Sequence, residues 1–71
     1  MNRFFSPNKN IFVDKIIVDD KRQVHHIRDV LWLKVNDKAI VFDESGNEYD
    51  CVIEKAQDTV SLQIKSRRSP S

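Results

Sequence analysis

The spacing of hydrophobic residues changes along this chain, and the change predicts one helix set among short strands. Val24, Ile27 and Leu31 recur at intervals of three and four residues, with Val30 beside them. Side chains at these intervals share one face of an α-helix, so they predict an amphipathic helix over about residues 20–33.

The start of this helix is indicated by residues that suit a helix N-terminus. The carboxylate of Asp20 can accept hydrogen bonds from the free amides of the first turn, and Asp19 is an alternative cap. Gln23 follows Asp20 at the spacing of a capping box.

The polar side of the predicted helix carries a large aromatic residue. At about 100° per residue, His25, Asp29 and Trp32 lie opposite or beside the apolar stripe, and Arg28 lies between the two faces. Trp32 is therefore expected off the core, within reach of Arg28 and Asp29.

Short strands are predicted on both sides of the helix. Residues 48–55 alternate, with Tyr49, Cys51 and Ile53 on one face, and residues 59–65 alternate again with Val60, Leu62 and Ile64 inward. Further strands are predicted at 3–5, 16–18 and 38–42, with a possible extended piece within 9–14, and turns at 6–8, 34–37, 43–47 and 56–58. The pattern predicts a mainly β fold, a small barrel or curled sheet with one helix, since closure removes exposed strand edges.

Composition limits the classes of function. The chain has 71 residues, a net charge of +1, one Cys and one Gly. It is one domain at most, and its near-neutral charge gives no global field for nucleic acid. The single Gly excludes a glycine-rich phosphate loop, and no apolar run approaches the roughly 20 residues that span a bilayer. A lone Cys without a signal peptide indicates a cytoplasmic protein.

Residue types that could support catalysis or metal binding are present but poorly arranged. Neighbouring helical residues such as His25 and His26 point about 100° apart, which disfavours their binding one metal ion. Cys51 is expected to be buried and inert. The acidic residues of the 43–54 hairpin are most simply its solvated face, and a paired-carboxylate site is the alternative. We expect no active site, metal or cofactor in this chain.

Three segments carry a family resemblance: RFF near the N-terminus, HHIRDVLWLKVND, and VFDESGNEY. In this order they resemble the N-terminal domain of the RsmE-type bacterial methyltransferases, which modify N3 of a uridine in small-subunit ribosomal RNA. The resemblance implies a PUA-like β-barrel over residues 1–65 that holds RNA. It also implies that residues 66–71 are a tail or linker toward a C-terminal SPOUT domain, absent here, which binds S-adenosylmethionine and forms the homodimer. On its own, the present chain is then expected to be a monomer.

The resemblance extends to individual residues. Arg3 matches the basic residue before the paired aromatics, and His25, His26 and Arg28 match the family's helix. Trp32 departs from the pattern, because a basic residue is frequent there, and Val35 and Asn36 replace a common Pro and Gly. Asn still suits the turn, since it tolerates left-handed backbone. The expected RNA-binding residues are Arg3, His25, His26, Arg28, Trp32, Lys34 and Lys38.

Two hypotheses follow from the residues and the resemblance. The first is an RNA-binding accessory domain of a ribosomal RNA methyltransferase, in which unpaired bases stack on Trp32 or Arg28 and cations contact phosphates. The second is a protein-interaction module that docks on the catalytic domain or on another protein. A structural alternative is that Arg28 pairs with an acid such as Asp29 or Glu48, while Trp32 covers the open end of the barrel.

Overall fold

The computed structural model describes residues 2–70 and contains one five-stranded sheet with one helical segment. The helix α1 is an α-helix over Lys21–His25 that continues directly as a π-helix turn over His26–Val30. A short 3₁₀ helix covers Asn8–Asn10. The strands are β1 (Arg3–Phe5), β2 (Lys15–Val18), β3 (Lys38–Phe42), β4 (Glu48–Ala56) and β5 (Val60–Arg68).

The sheet has the order β1-β3-β4-β5-β2 and curls into a half-barrel. β1 runs parallel to β3, and the other neighbouring pairs are antiparallel. This architecture confirms the predicted mainly β, PUA-like fold with one helix.

The core lies between the inner face of the sheet and α1. Tyr49, Cys51 and Ile53 are buried as their alternation predicted, and so are Val60 and Leu62. Ile64 is only partly buried and packs against the edge of this core.

The beginning of α1 confirms one predicted contact and corrects another. Asp20 is the N-cap, and its carboxylate accepts a hydrogen bond from the amide of Arg22 at 3.1 Å. Gln23 makes no capping box: its side-chain amide donates to the carbonyl of Phe5 at 2.8 Å and so ties the helix to β1. Asp19, the alternative cap, accepts from the side chain of Asn10 instead.

The helical segment ends earlier than predicted, at Val30 rather than near residue 33. Leu33 is buried although it lies off the apolar stripe of Val24 and Ile27, so it reaches the core only because the chain leaves the helix before it. The amide of Leu33 bonds to the carbonyl of Ile27 at 3.1 Å across this helix end. Val30, expected beside the stripe, is exposed.

Two other boundaries differ from the sequence prediction. Residues 9–14 form no second strand: the 3₁₀ helix takes the first of them, and Ile11 makes an isolated bridge to Ile16. β5 continues to Arg68, because the hydrogen-bonded register with β4 extends to the Glu48–Arg68 pair. The further division of the chain into a domain and a linker stays a prediction.

Two predicted turns have the expected left-handed backbone. Asn36 has φ of 78° and Gly46 has φ of 83°. Between β3 and β4 the buried carboxylate of Asp43 accepts hydrogen bonds from the amides of Ser45 and Asn47, from the Asn47 side chain and from the Tyr49 hydroxyl. This hairpin is therefore closed by its own side chains, and Asp43 is buried and not on the solvated face that the sequence predicted.

Across residues 2–70, the structure contains no helix with the length and apolar character needed to cross a membrane.

Candidate nucleic-acid interface

The end of α1 faces the β4–β5 connection across an open groove of about 340 Å³, named here the Trp32 groove. Its polar and exposed walls are supplied by Arg28, Trp32, Lys34, Val35, Glu54 and Lys55. Three of the seven residues predicted to bind RNA thus line a single groove.

Hydrogen bonds to backbone carbonyls fix both walls of the Trp32 groove. The guanidinium Nη1 of Arg28 donates to the carbonyl of Gln57 at 2.8 Å, which ties α1 to the β4–β5 connection. The amide of Asn36 donates to the carbonyl of Ile53 at 2.8 Å, and the amide of Ile53 donates to the carbonyl of Asp37 at 2.9 Å. The turn that carries Lys34 is therefore held against β4.

Trp32 occupies an unusual backbone conformation at the helix end. Its φ is 58°, in the left-handed region that usually takes Gly or Asn. Trp32 nevertheless lies in solvent, with 70% of its surface exposed. The indole therefore lies on the surface and does not seal the core.

Arg28, one of the cations that line the groove, is partly neutralised. Arg28 bonds to both carboxylate oxygens of Asp29, at 3.2 and 3.0 Å, and Asp29 also contacts Nδ1 of His25 at 3.0 Å. The hydrogen bond and charge of Asp29 raise the pKa of Arg28, while the hydrogen bond from Arg28 lowers the pKa of Asp29 despite some desolvation. The alternative in which Arg28 pairs with an acid is therefore correct, and that acid is Asp29 and not Glu48.

The two lysines of the groove differ from Arg28. Within residues 2–70 neither Lys34 nor Lys55 lies in ion-pair contact with a carboxylate. The backbone amide of Lys34 bonds to the side chain of Asp37 at 2.7 Å, which fixes the point from which its side chain extends. Both ammonium groups are available to an anionic ligand.

The other predicted residues lie outside the Trp32 groove. His25 lines a neighbouring hollow with Arg28 and Lys21, and His26 is exposed on α1. Arg3 contacts Glu48 at 2.5 Å and stacks over the ring of Phe42 at 5.7 Å. Neither Arg3 nor Lys38 lines the Trp32 groove, and β1 pairs with β3 so that Arg3 lies opposite Ile40.

Lys38 lines a separate cavity that also includes Asp50, Cys51 and Lys65. Burial there raises the pKa of the Cys51 thiol to about 12, so the thiol is inert as expected. Among the described residues, no three His, Cys, Asp or Glu side chains are grouped so that they could hold a metal ion.

Sequence analysis missed Lys55 as a groove residue. Its position depends on the docking of the 34–37 turn against β4, through bonds between the backbone of Asn36 and Asp37 and that of Ile53. Hydrophobic spacing does not predict this contact. The register between β3 and β4, which continues through Asp37 and Ile53, would have predicted it.

Comparison with known proteins identifies the family. The family model of the RNA methyltransferase PUA domain matches residues 18–65, which is more than half of the chain. No curated protein matches the chain significantly in sequence.

Solved structures share the fold over almost the whole chain. A predicted RNA methyltransferase from Thermotoga maritima matches all of it with a TM-score of 0.84 and 24% identity. The ribosomal RNA small subunit methyltransferase E from Neisseria gonorrhoeae, bound to S-adenosyl methionine, matches 96% of it with a TM-score of 0.78 and 21% identity. A probable rRNA-methyltransferase from Porphyromonas gingivalis matches all of it with a TM-score of 0.79 and 22% identity.

The chain spans only part of these larger proteins. It covers 32%, 28% and 29% of the Thermotoga, Neisseria and Porphyromonas chains, respectively. The family match and the shared fold agree on one assignment: the chain belongs to the family of RNA methyltransferase PUA domains.

Proposed function

We propose that this domain holds RNA for a methyltransferase whose chemistry takes place on further polypeptide. The observation that carries the proposal is the Trp32 groove, in which an exposed indole stands beside Arg28, Lys34 and Lys55. Aromatic planes and cations side by side are the usual means of binding RNA outside regular helices. Membership of the RNA methyltransferase PUA family supports this use.

The finer proposal is an accessory domain of an S-adenosylmethionine-dependent ribosomal RNA uridine-N3 methyltransferase. Small-subunit ribosomal RNA is the proposed partner and the cytoplasm the proposed compartment. We place S-adenosylmethionine and the contacts of a homodimer on a catalytic domain outside this chain, and we expect these 71 residues alone to be monomeric. The likeness to the Neisseria enzyme bound to S-adenosyl methionine is the support for this reading.

In this function the groove supplies position and not chemistry. A phosphate at Lys34 or Lys55 releases counterions, and each such contact steepens the salt dependence of single-strand binding by about 0.7 in log–log slope. So few cations bind RNA weakly alone, and the catalytic domain would add its own contacts.

The test is a salt titration of RNA binding with variants that are matched in charge. Lys34→Gln removes a groove cation, while Lys15→Gln removes an exposed cation from the edge strand β2 outside the groove. We expect Lys34→Gln to weaken binding of a small-subunit ribosomal RNA fragment and to reduce the salt slope. Lys15→Gln should leave the slope unchanged.

If both variants gave the same salt slope, the Trp32 groove would not be the RNA-binding site.

The second function, docking of another protein, is favoured by the exposed side chains of Trp32 and Val35, which both line the groove. It predicts that Trp32→Ala leaves RNA binding intact while it weakens contact with the catalytic domain of the full-length protein.

A further inference from the structure

We infer that the Trp32 groove takes one unpaired nucleotide, with its base stacked on the Trp32 indole and its phosphates beside Lys34 and Lys55. The inference rests on the proposed function and deepens it, because it names the class of RNA that the groove selects. Single-stranded or looped RNA would bind there, and a continuous duplex would not.

The backbone at Trp32 is the first support. Among the described residues, three have left-handed φ: Gly46 at 83°, Asn36 at 78° and Trp32 at 58°. Gly and Asn tolerate this region, whereas a bulky side chain there is a strained outlier. Strain of this kind persists where surrounding structure enforces it, and it is concentrated at binding sites.

Burial does not explain the choice of residue. A strained aromatic could be retained because it fills the core, but Trp32 is 70% exposed. The neighbouring Leu33 already provides the apolar anchor at this helix end, since it is buried. The folded chain thus gains little from an indole at this position, and a ligand that uses its face accounts for it.

The orientation of the helix end is fixed before any ligand arrives. The amide of Leu33 is bonded to the carbonyl of Ile27, and that of Leu31 is bonded to the carbonyl of His26 at 2.9 Å. Trp32 lies between these two anchored residues. A side chain whose backbone is already placed loses less conformational entropy on binding.

The size and charge of the groove fit a nucleotide. Its volume of about 340 Å³ is at the low end of the range of roughly 300–1,000 Å³ for small-ligand sites. Three cations, Arg28, Lys34 and Lys55, line the groove against one acid, Glu54. A base against the indole would therefore lie in a groove that also carries two ammonium groups, on Lys34 and Lys55, for its phosphates.

An intact RNA duplex cannot use this arrangement. Its bases are already stacked on one another, so along the duplex it presents phosphates, 2′-hydroxyl groups and base edges but no base faces. Only a base that has left the stack can place its face on Trp32. Selection between unpaired and paired RNA therefore follows from the aromatic group, while the lysines contribute to both.

The single Trp of the chain gives a direct test, because its fluorescence reports only on position 32. The probes are a short single-stranded RNA, the same strand annealed to its complement, and the same strand with abasic nucleotides. We expect saturable quenching by the single strand, and little quenching by the duplex or by the abasic strand. Equal quenching by single strand and duplex would overturn the inference.

Variants separate stacking from folding. Trp32→Phe keeps an aromatic face, and Trp32→Gly removes it while it relieves the left-handed backbone, so Trp32→Gly should fold. Labelled single-stranded RNA should bind Trp32→Gly about 5- to 150-fold more weakly than the parent chain, and Trp32→Phe much less so. Val30→Ala, which shortens an exposed apolar side chain outside the groove, is the control.

The outcomes also separate this inference from the proposed function. If Trp32→Gly binds single-stranded RNA as tightly as the parent while salt-sensitive binding persists, the stacking site is wrong and the RNA-binding function stands. If the parent chain binds neither single-stranded nor double-stranded RNA, both are wrong.

Discussion

The hairpin turn at residues 43–47 and the helix end at Trp32 meet the same backbone demand with opposite chemistry. Both need one residue with left-handed φ, at Gly46 and at Trp32. The hairpin uses Gly and closes on the buried carboxylate of Asp43. The helix end uses a bulky indole and leaves it exposed. The hairpin is thus arranged for stability, and the helix end is arranged to present a side chain.

The largest effect should come from breaking the hairpin. In Asp43→Ala the hydroxyl of Tyr49 and the amides of Ser45 and Asn47 lose their acceptor inside the fold. We expect a loss of about 2–4 kcal/mol of unfolding free energy in urea, because hydrogen bonds to a charged group are lost and buried donors are left unpaired. Asp43→Asn, which keeps the shape, should lose less. Equal stability of Asp43→Ala and the parent would contradict the role given to this carboxylate.

Acid should also lower the unfolding free energy through the hairpin, as Asp43→Ala does. Burial alone would raise the pKa of Asp43, but the hydrogen bonds from Tyr49, Asn47 and two backbone amides outweigh it and lower the pKa. A carboxyl whose pKa is lowered on folding adds stability above its unfolded pKa of about 3.9, and that stability is lost as the pH falls through the folded value. Unfolding measured from pH 6 to pH 2 should therefore show a loss below about pH 4 that is smaller in Asp43→Asn. An identical acid profile in the variant would assign the loss to other carboxyls.

Comparing Gly with Ala at positions 46 and 32, two of the three left-handed positions among the described residues, should measure the backbone strain. Gly46→Ala should destabilise the chain by about 1–2 kcal/mol from φ alone, because an added Cβ would meet only Pro70, at an ordinary contact distance of 3.7 Å. At the helix end, Trp32→Gly should be more stable than Trp32→Ala by about 1 kcal/mol for the same reason. Urea unfolding of the four chains gives both numbers. If Trp32→Ala matches Trp32→Gly, the helix end carries no strain and the comparison loses its basis.

The smallest effect is expected at Arg3, in a third region of the surface. Arg3 is occupied by Glu48, which also pairs with Arg68, and Arg68 pairs with Asp50. Because Arg3 has Glu48 as an ion-pair partner and lies outside the Trp32 groove, Arg3→Gln should change RNA affinity less than Lys34→Gln at the same salt concentration. If Arg3→Gln weakened RNA binding more than Lys34→Gln, Arg3 would belong to the RNA-binding surface.

Local chemistry made much of the fold predictable from sequence. Two-residue alternation gave the inward faces of β4 and β5, and Asn36 and Gly46 marked the turns. Helical spacing predicted α1 but not its end, because the burial of Leu33 is decided by the sheet that α1 packs against. The parallel pairing of β1 with β3 has no local signal either.

The candidate site was predictable only in part. Arg28, Trp32 and Lys34 are close along the chain, so helix and turn geometry brought them together. Lys55 joins them because the 34–37 turn is hydrogen-bonded to β4. Arg3 instead pairs with Glu48 on β4, and Lys38 lines a different cavity. A count of basic residues cannot say which of them is already neutralised.

The most direct measurement follows the indole N–H signal of Trp32 by NMR while unpaired RNA is added to the chain. With one Trp, the spectrum contains one such signal. We predict that it shifts with the backbone amides of Lys34 and Lys55, while the amides of residues 43–47 stay in place. An unmoved indole signal, with shifts confined to other parts of the surface, would contradict the claim that this groove holds RNA.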